Sequence, residues 1–363
     1  MDDTLEPLRA AFRERVLAAG RDGVPLRIRG GGSKDWYGRA PEGAVLDTTG
    51  YRGITGYEPT ELVVTARCGT PLREIEAALA EHGQMLAFEP PHFGEGATIG
   101  GVVASGLAGP RRQAAGAVRD FVLGVTLMNG QGNVLRFGGQ VMKNVAGYDV
   151  SRLMAGSLGT LGLILDVSLK VLPRPAAEAT LRLALDQETA LQRVNAWAGQ
   201  PMPVSASAWH DGLLTVRLSG AGAAVAAAMA RIGGEALPAG TATAFWHDVR
   251  EQRHPFFADA AAAPLWRLAV PTVAPVLAPG QEDGGTQLIE WGGGQRWLRS
   301  HETPQAIRAL AARHGGHATL YRGTARHDVF QPLAPAIHAI HRNLKNAFDP
   351  AGIFNPGRMY EDL

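Results

Sequence analysis

The sequence predicts an α+β protein of two domains followed by a distinct C-terminal segment. Three observations carry this prediction. Short apolar strand-like runs alternate with amphipathic helical ones, the composition shifts near residue 175, and the last 35 residues change character again. A chain of 363 residues suggests two domains or one with a large insertion. With 45% hydrophobic and 19% charged residues, it has the make-up of a well-cored globular protein. Its 35 basic and 34 acidic side chains leave a formal charge of +1, so no broad electrostatic footprint for nucleic acid exists. A single cysteine, Cys68, excludes an intrachain disulfide and a cysteine-ligated iron–sulfur cluster, which fits a reducing compartment.

The chain opens with Leu5, Leu8, Phe12 and Val16 on one face of an amphipathic helix. Asp2, Asp3 and Glu6 stand where a signal peptide would be basic. The longest small apolar run, Ala221 to Ala230, is far short of the ~20 residues a bilayer span needs. The expectation is a cytoplasmic protein, held at the inner membrane, if at all, peripherally through partners. Strands follow at Pro25–Arg29, Ala44–Asp47 and Leu62–Cys68. Thr70 is placed to cap the next helix with Pro71 in its first position; Leu72, Ile75 and Leu79 form the buried face, and Gly83 ends it. Strands at Phe121–Met128 and Asn133–Phe137 flank the turn residues Asn129 to Gly132, a hairpin, and Leu161–Leu172 reads as a further strand. Beyond Pro173 and Pro175 the chain turns alanine-rich, and nine of its eleven histidines lie past residue 200. The domains are therefore drawn at 1–175, 176–328 and 329–363. In the last, Leu333, Ile337, Ile340 and Leu344 are expected to face inward from a helix before a compact turn, Phe348 to Arg358.

Two glycine clusters point to ligand chemistry. Arg29-Gly30-Gly31-Gly32-Ser33 ends an apolar strand, and Thr98-Ile99-Gly100-Gly101 opens a second small-residue segment reaching Gly106. Consecutive residues without Cβ atoms let the backbone approach an anion and turn its N–H groups toward it. A pyrophosphate is the usual occupant. No G-x-G-x-x-G lies between a strand and a helix, and no G-x-x-x-x-G-K-[ST] occurs, which argues against NAD-type Rossmann binding and P-loop phosphoryl transfer.

These clusters, with Gly116-Ala117-Val118-Arg119-Asp120 and Gly156-Ser157-Leu158-Gly159-Thr160-Leu161-Gly162, occur in the order found in FAD-binding domains of the vanillyl-alcohol-oxidase (PCMH) type. The terminal Asn355-Pro356-Gly357-Arg358 resembles the signature of their 2-hydroxy-acid dehydrogenase branch. Within it the chain is similar to the family of FAD-binding E subunits of bacterial glycolate oxidases. Lys143-Asn144-Val145-Ala146-Gly147-Tyr148-Asp149, Glu290-Trp291-Gly292-Gly293 and Gln295-Arg296-Trp297 support this.

The resemblance implies a two-lobed FAD-binding domain, an α+β cap after residue 175 and a C-terminal helix returning to the first domain. It implies cofactor contacts from Arg29, Gly30, Gly31, Gly32, Ser33, Pro91, Thr98, Gly100, Gly101, Ala104, Ser105, Gly116, Gly162, Asn355 and Arg358. Dissociable FAD is expected, since relatives tether it through a His beside the first turn or a Cys in the second segment, and this chain has neither. Cys68 reads as a small buried side chain. Arg111 and Arg112 are expected to offset cofactor charge, to face a partner subunit, or to stand in a solvated loop. Leu158 stands where better-characterised relatives usually carry Glu, which weakens any transfer of catalytic detail.

Oxidising a 2-hydroxy acid needs a cation for the carboxylate and a base for the hydroxyl proton. Arg250, Arg267 and Arg296 are candidate anchors, with Arg267 and Arg296 preferred; His314 and His317 are candidate bases, with His317 preferred. His314-Gly315-Gly316-His317 reads as a loop before a strand, and no metal site is assigned. The implied function is a glycolate (2-hydroxy acid) oxidoreductase subunit working with a second flavin subunit and an iron–sulfur subunit. Two alternatives stay open: a non-catalytic FAD-binding relay or assembly subunit, and a stand-alone flavin-dependent alcohol oxidase.

Overall fold

The computed structural model describes residues 6–139, 149–258, 263–277, 287–324 and 326–363. Leu5 and the Lys143 to Tyr148 part of the motif above lie outside them. Alternating and continuous apolar runs build a five-stranded antiparallel sheet in the order Ile54–Glu58, Val63–Arg67, Leu163–Lys170, Val122–Met128, Val134–Gly138. The middle strand is buried along both faces. Val122–Met128 and Val134–Gly138 form the expected hairpin, with Met128 opposite Val134 and Asn129 Oδ1 accepting from the amides of Gln131 and Asn133.

Helix Glu6–Asp22 contributes Phe12, Val16 and Ala19 to the core, and helix Leu72–Glu81 contributes Leu72, Ile75 and Leu79. Thr70 does not cap the second helix. Its hydroxyl donates to the Arg67 carbonyl at 2.7 Å and accepts from the Gly53 amide, so the strand before it takes the oxygen a cap would need.

A small parallel pair, Leu26–Arg29 with Ala44–Asp47, forms the second lobe. The C-terminal segment returns to it. The Leu26 amide donates to the Ile353 carbonyl and the Asn355 amide to the Leu26 carbonyl, while Ile353 and Phe354 join the first core. The preceding helix, Pro335–Phe348, corrects one expectation: Ile337 and Ile340 are 44% and 53% exposed. The helix is held instead by Lys345, whose ammonium donates to the carbonyls of Thr160 and Phe354 and to Asp349 Oδ2. A buried ion with three acceptors anchors the end of the helix, where Leu344 packs against the first core as expected, and only the earlier part of the stripe, Ile337 and Ile340, faces outward.

The second region is an eight-stranded antiparallel sheet in the order Glu235–Ala236, Ala177–Ala184, Leu213–Gly220, Val204–His210, Gln287–Glu290, Gln295–Arg299, Leu265–Ala269, His317–Arg322. One face, with Leu214, Val216, Leu218, Trp266, Leu268, Leu298 and Leu320, packs on helices Gln187–Ala198, Gly222–Ile232 and Pro304–Arg313. From the other face Leu265, Leu288, Trp297 and Tyr321 meet Tyr37 and Leu107 of the first region. Glu89 joins the two regions, paired with Arg111 and with Arg217 at 2.9 Å; burial would raise its pKa, but the two guanidiniums outweigh this and hold it below the usual range.

Candidate functional site

The two glycine runs meet. A Cβ on Gly31 would lie 1.5 Å from the Gly96 carbonyl oxygen, and one on Gly30 would lie 2.4 Å from Thr98 Oγ1. Gly32 takes φ +74°, and its Cβ would strike the Arg29 guanidinium. These three positions therefore exclude side chains, because neighbouring backbone and side-chain atoms already occupy the space. The cleft so formed is lined by residues 27–35, with Pro41, Thr98, Gly101, Ala104, Ser105, Leu158, Asn355 and Arg358.

Three features suit this cleft to a diphosphate. Among the described residues no backbone or side-chain acceptor receives the amides of Gly30, Gly31, Gly32 or Ser33. Arg27, Arg29, Lys34 and Arg358 line the cleft against the single carboxylate of Asp35. Gly101 opens onto it, with Thr98 Oγ1 at 3.4 Å as the nearest atom a Cβ would meet. Unpaired donors and surplus positive charge form the arrangement that binds a phosphate oxyanion.

Lys34 escaped the sequence reading, although its place directly after Ser33 was a usable signal. Burial lowers its pKa to about 8, with Glu251 opposing the shift, so its charge depends on pH near neutrality. Asn355 acts as a clip: its Oδ1 accepts from the Ile28 amide at 2.8 Å and its Nδ2 donates to the Leu158 carbonyl at 2.6 Å. Arg358 donates to the carbonyls of Asp35 and Arg39, and burial lowers its pKa to about 10.

Four expected cofactor contacts do not line this cleft. Gly100 backs onto Cys68, where a Cβ would come within 2.6 Å of its side chain. Gly162 packs against Met128, Gly116 closes a turn on Asp120, and Pro91 is buried beside the His92–Glu251 contact. Cys68 is buried, and burial raises its thiol to about 12.

The cap face separates the two favoured arginines. Arg267 is opposite Trp297 and Thr319, on the face toward the first region, and donates to Tyr37 Oη at 3.1 Å. Its strand lies between two others and is not an edge. Arg296 pairs with Leu268 and Ile289, which places it on the opposite face by the period-2 rule. It is fully buried, and the carbonyls of Gly293, Ala274 and Pro275 take its guanidinium. Arg296 is thus a structural cation; it is corrected as a substrate anchor. Arg250 pairs with Glu76 and Glu251. His317 begins the last cap strand opposite Ala269; partial burial and Arg267 lower its pKa. His314 ends helix Pro304–Arg313.

One buried acid had no sequence signal beyond its motif. Glu290 receives hydrogen bonds from Trp297 Nε1 and Gln295 Nε2, and burial, with Glu89 adding to it, pushes its pKa up to about 7.

Residues 9–138 match a family model described as an FAD binding domain. The chain is 49% identical to glycolate oxidase subunit GlcE of Escherichia coli (strain K12) over 97% of both chains. It is 32% identical to glycolate oxidase subunit GlcD of Bacillus subtilis over 44% of this chain and 34% of that one. It is also 33% identical to a D-lactate dehydrogenase of Archaeoglobus fulgidus over 43% of this chain and 35% of that one. Among solved structures, alkyldihydroxyacetonephosphate synthase shares the fold, with a TM-score of 0.65 and 16% identity over 95% of this chain and 73% of that one. No helix among the described residues is long and apolar enough to cross a membrane. The full-length similarity, with the matching FAD-binding family model, shows that this chain belongs to the GlcE family of FAD-dependent hydroxy-acid oxidoreductase subunits.

Proposed function

We propose that the chain takes a hydride from a small 2-hydroxy acid, glycolate foremost, and passes the electrons onward to an iron–sulfur partner beside a second flavin subunit. In this reading residues 1–175 bind FAD, 176–328 form the cap that receives substrate, and 329–363 lock the first region. The carrying observation is the run of four unpaired amides in a cleft whose glycines interlock. Bound FAD supplies the hydride acceptor. The chain's own residues do the rest: Gly30 to Ser33, Gly101 and Lys34 grip the diphosphate, and Asn355 and Arg358 hold the walls around it. Arg267 has no carboxylate partner among the described residues and would take the substrate carboxylate by its guanidinium fork. His317, kept neutral at pH 7 by its lowered pKa, would accept the hydroxyl proton on a ring nitrogen.

A second reading has its own support. Trp36, Tyr37, Phe93 and Tyr321 form one connected aromatic cluster, Tyr37 and Tyr321 against Arg267 and Trp36 and Phe93 against Arg322, with Leu158 packed on it, which favours a subunit that relays electrons and binds no substrate. Anaerobic addition of glycolate or D-lactate to the purified, FAD-loaded chain separates the readings. Bleaching of the flavin absorbance supports substrate oxidation; an unchanged spectrum supports the relay.

A further inference from the structure

A second feature lies outside the glycine cleft, in a groove between the two regions. Arg112 lies on the Trp291 ring, its guanidinium carbon 4.2 Å from the centroid. The ring is itself fixed, because Trp291 Nε1 donates to the Gly109 carbonyl at 3.2 Å. The next residue is latched as well: Ser207 Oγ donates to Gln113 Oε1 at 2.8 Å and accepts from the Gly292 amide. The guanidinium is thus presented by a rigid wall, yet among the described residues it has no hydrogen-bond acceptor and no ion-pair partner. Asp120, the acid that acts on it electrostatically, is occupied by the Ala117 amide, while Arg267 and Arg119 add positive charge. A cation left without a counter-ion and held 4.2 Å over the centre of an aromatic ring is prepared for a planar anion. The same groove is lined by His317 and by Gln200, whose side-chain oxygen is buried without a hydrogen-bond partner among the described residues. A ligand that carries both an anion and a hydroxyl donor would satisfy both ends.

We propose that Arg112 on Trp291 forms a binding site for a small carboxylate anion, the class to which 2-hydroxy acids and their oxidised products belong. The ligand class rests on the reading above, in which Arg267 takes the carboxylate of the molecule being oxidised; Arg112 forms a second, separate carboxylate site in the neighbouring groove, which Arg267 does not line, and that site rests on Arg112 alone. A bidentate guanidinium contact explains why Arg stands there, since a lysine ammonium offers neither a planar face nor the fork.

The probe is oxalate, titrated by calorimetry into the full-length chain with and without FAD. Wild type should bind it saturably at millimolar concentration, with affinity falling as salt rises. Arg112→Gln should weaken binding by tenfold or more and leave FAD affinity unchanged. Arg112→Lys keeps the charge and the aliphatic stem, so it serves if the glutamine variant fails to fold, and should weaken oxalate binding several-fold. Absence of saturable binding to wild type, or binding to either variant within twofold of wild type, overturns the proposal. If FAD fails to bind while oxalate still depends on Arg112, the flavoprotein reading falls and the anion site stands. If FAD binds and glycolate reduces it while oxalate ignores Arg112, the reverse holds.

Discussion

Two glycines in the cleft make opposite predictions when given a methyl group. At Gly31 the new Cβ would sit 1.5 Å from the Gly96 oxygen and 2.4 Å from its carbonyl carbon, both backbone atoms. The two runs would have to part by about 2 Å to reach ordinary van der Waals separation. Overpacking of this kind costs about 1–3 kcal/mol or more. For a chain of this size Gly31→Ala should therefore lower the apo Tm by roughly 1–4 °C or more, and it should impair FAD binding as well. At Gly101 the methyl meets only Thr98 Oγ1, at 3.4 Å, and otherwise enters the cleft. Gly101→Ala should leave the apo Tm within a degree or so of wild type. It should nevertheless displace a diphosphate oxygen from its donors, a charge-assisted contact worth about 1.5–3 kcal/mol, or roughly 10–150-fold in affinity. Differential scanning fluorimetry of the apo chain and flavin-fluorescence titration supply the two readouts. A Gly101→Ala variant that binds FAD like wild type would refute the reasoning, as would a Gly31→Ala variant that melts early but keeps full affinity.

Three further outcomes follow. Because burial lowers the Lys34 pKa to about 8, the apo chain loses this charge as pH rises through 8, and a bound dianion favours the protonated form. FAD affinity should fall between pH 7 and 9.5 by up to about tenfold per unit, and Lys34→Met should remove most of that slope in a pH series of titrations. Asn355→Ala leaves the Ile28 amide and the Leu158 carbonyl unpaired; at about 1–3 kcal/mol for each buried group, thermal unfolding should shift down by several degrees, and an unchanged melting curve would remove its role as a clip. Arg296→Gln strips three backbone carbonyls of their donor and should destabilise the chain, whereas Arg267→Gln should leave the Tm nearly unchanged and slow flavin reduction by glycolate; stopped-flow and melting data that show the opposite pairing would reverse the assignment of the two faces.

Most strands of the first region and its two long helices could be read from apolar patterning, though the half-exposed edge strand Ile54–Glu58 and the glycine-rich helix Ile99–Ser105 could not, and the glycine runs marked the cleft before any geometry was known. Finer detail depended on rotation and register. Gly100 and Gly101 are neighbours, yet one backs onto Cys68 and the other opens onto the cleft, because one helical step turns the chain by about 100°. Arg267 and Arg296 lie on adjacent strands, and only their register, Arg267 with Trp297 and Arg296 with Leu268, sends them to opposite faces. The C-terminal helix shows the same difficulty. Its apolar stripe suggested an inward face throughout, but Lys345 and its three acceptors anchor only the end, and Ile337 and Ile340 face outward. Hydrophobic periodicity has no means of registering a buried ion. Lys34 was missed for a different reason: a lysine in a polar turn looks solvated until the chain folds over it.

Backbone amides are proposed to recognise the diphosphate, and comparing FAD with riboflavin, which has the same ring system and no phosphate, tests this most directly. By calorimetry the purified chain should bind one FAD, dissociable on denaturation, at least a hundredfold more tightly than riboflavin, with ADP competing for the site. Equal affinity for the two flavins, or no binding of FAD, would contradict it.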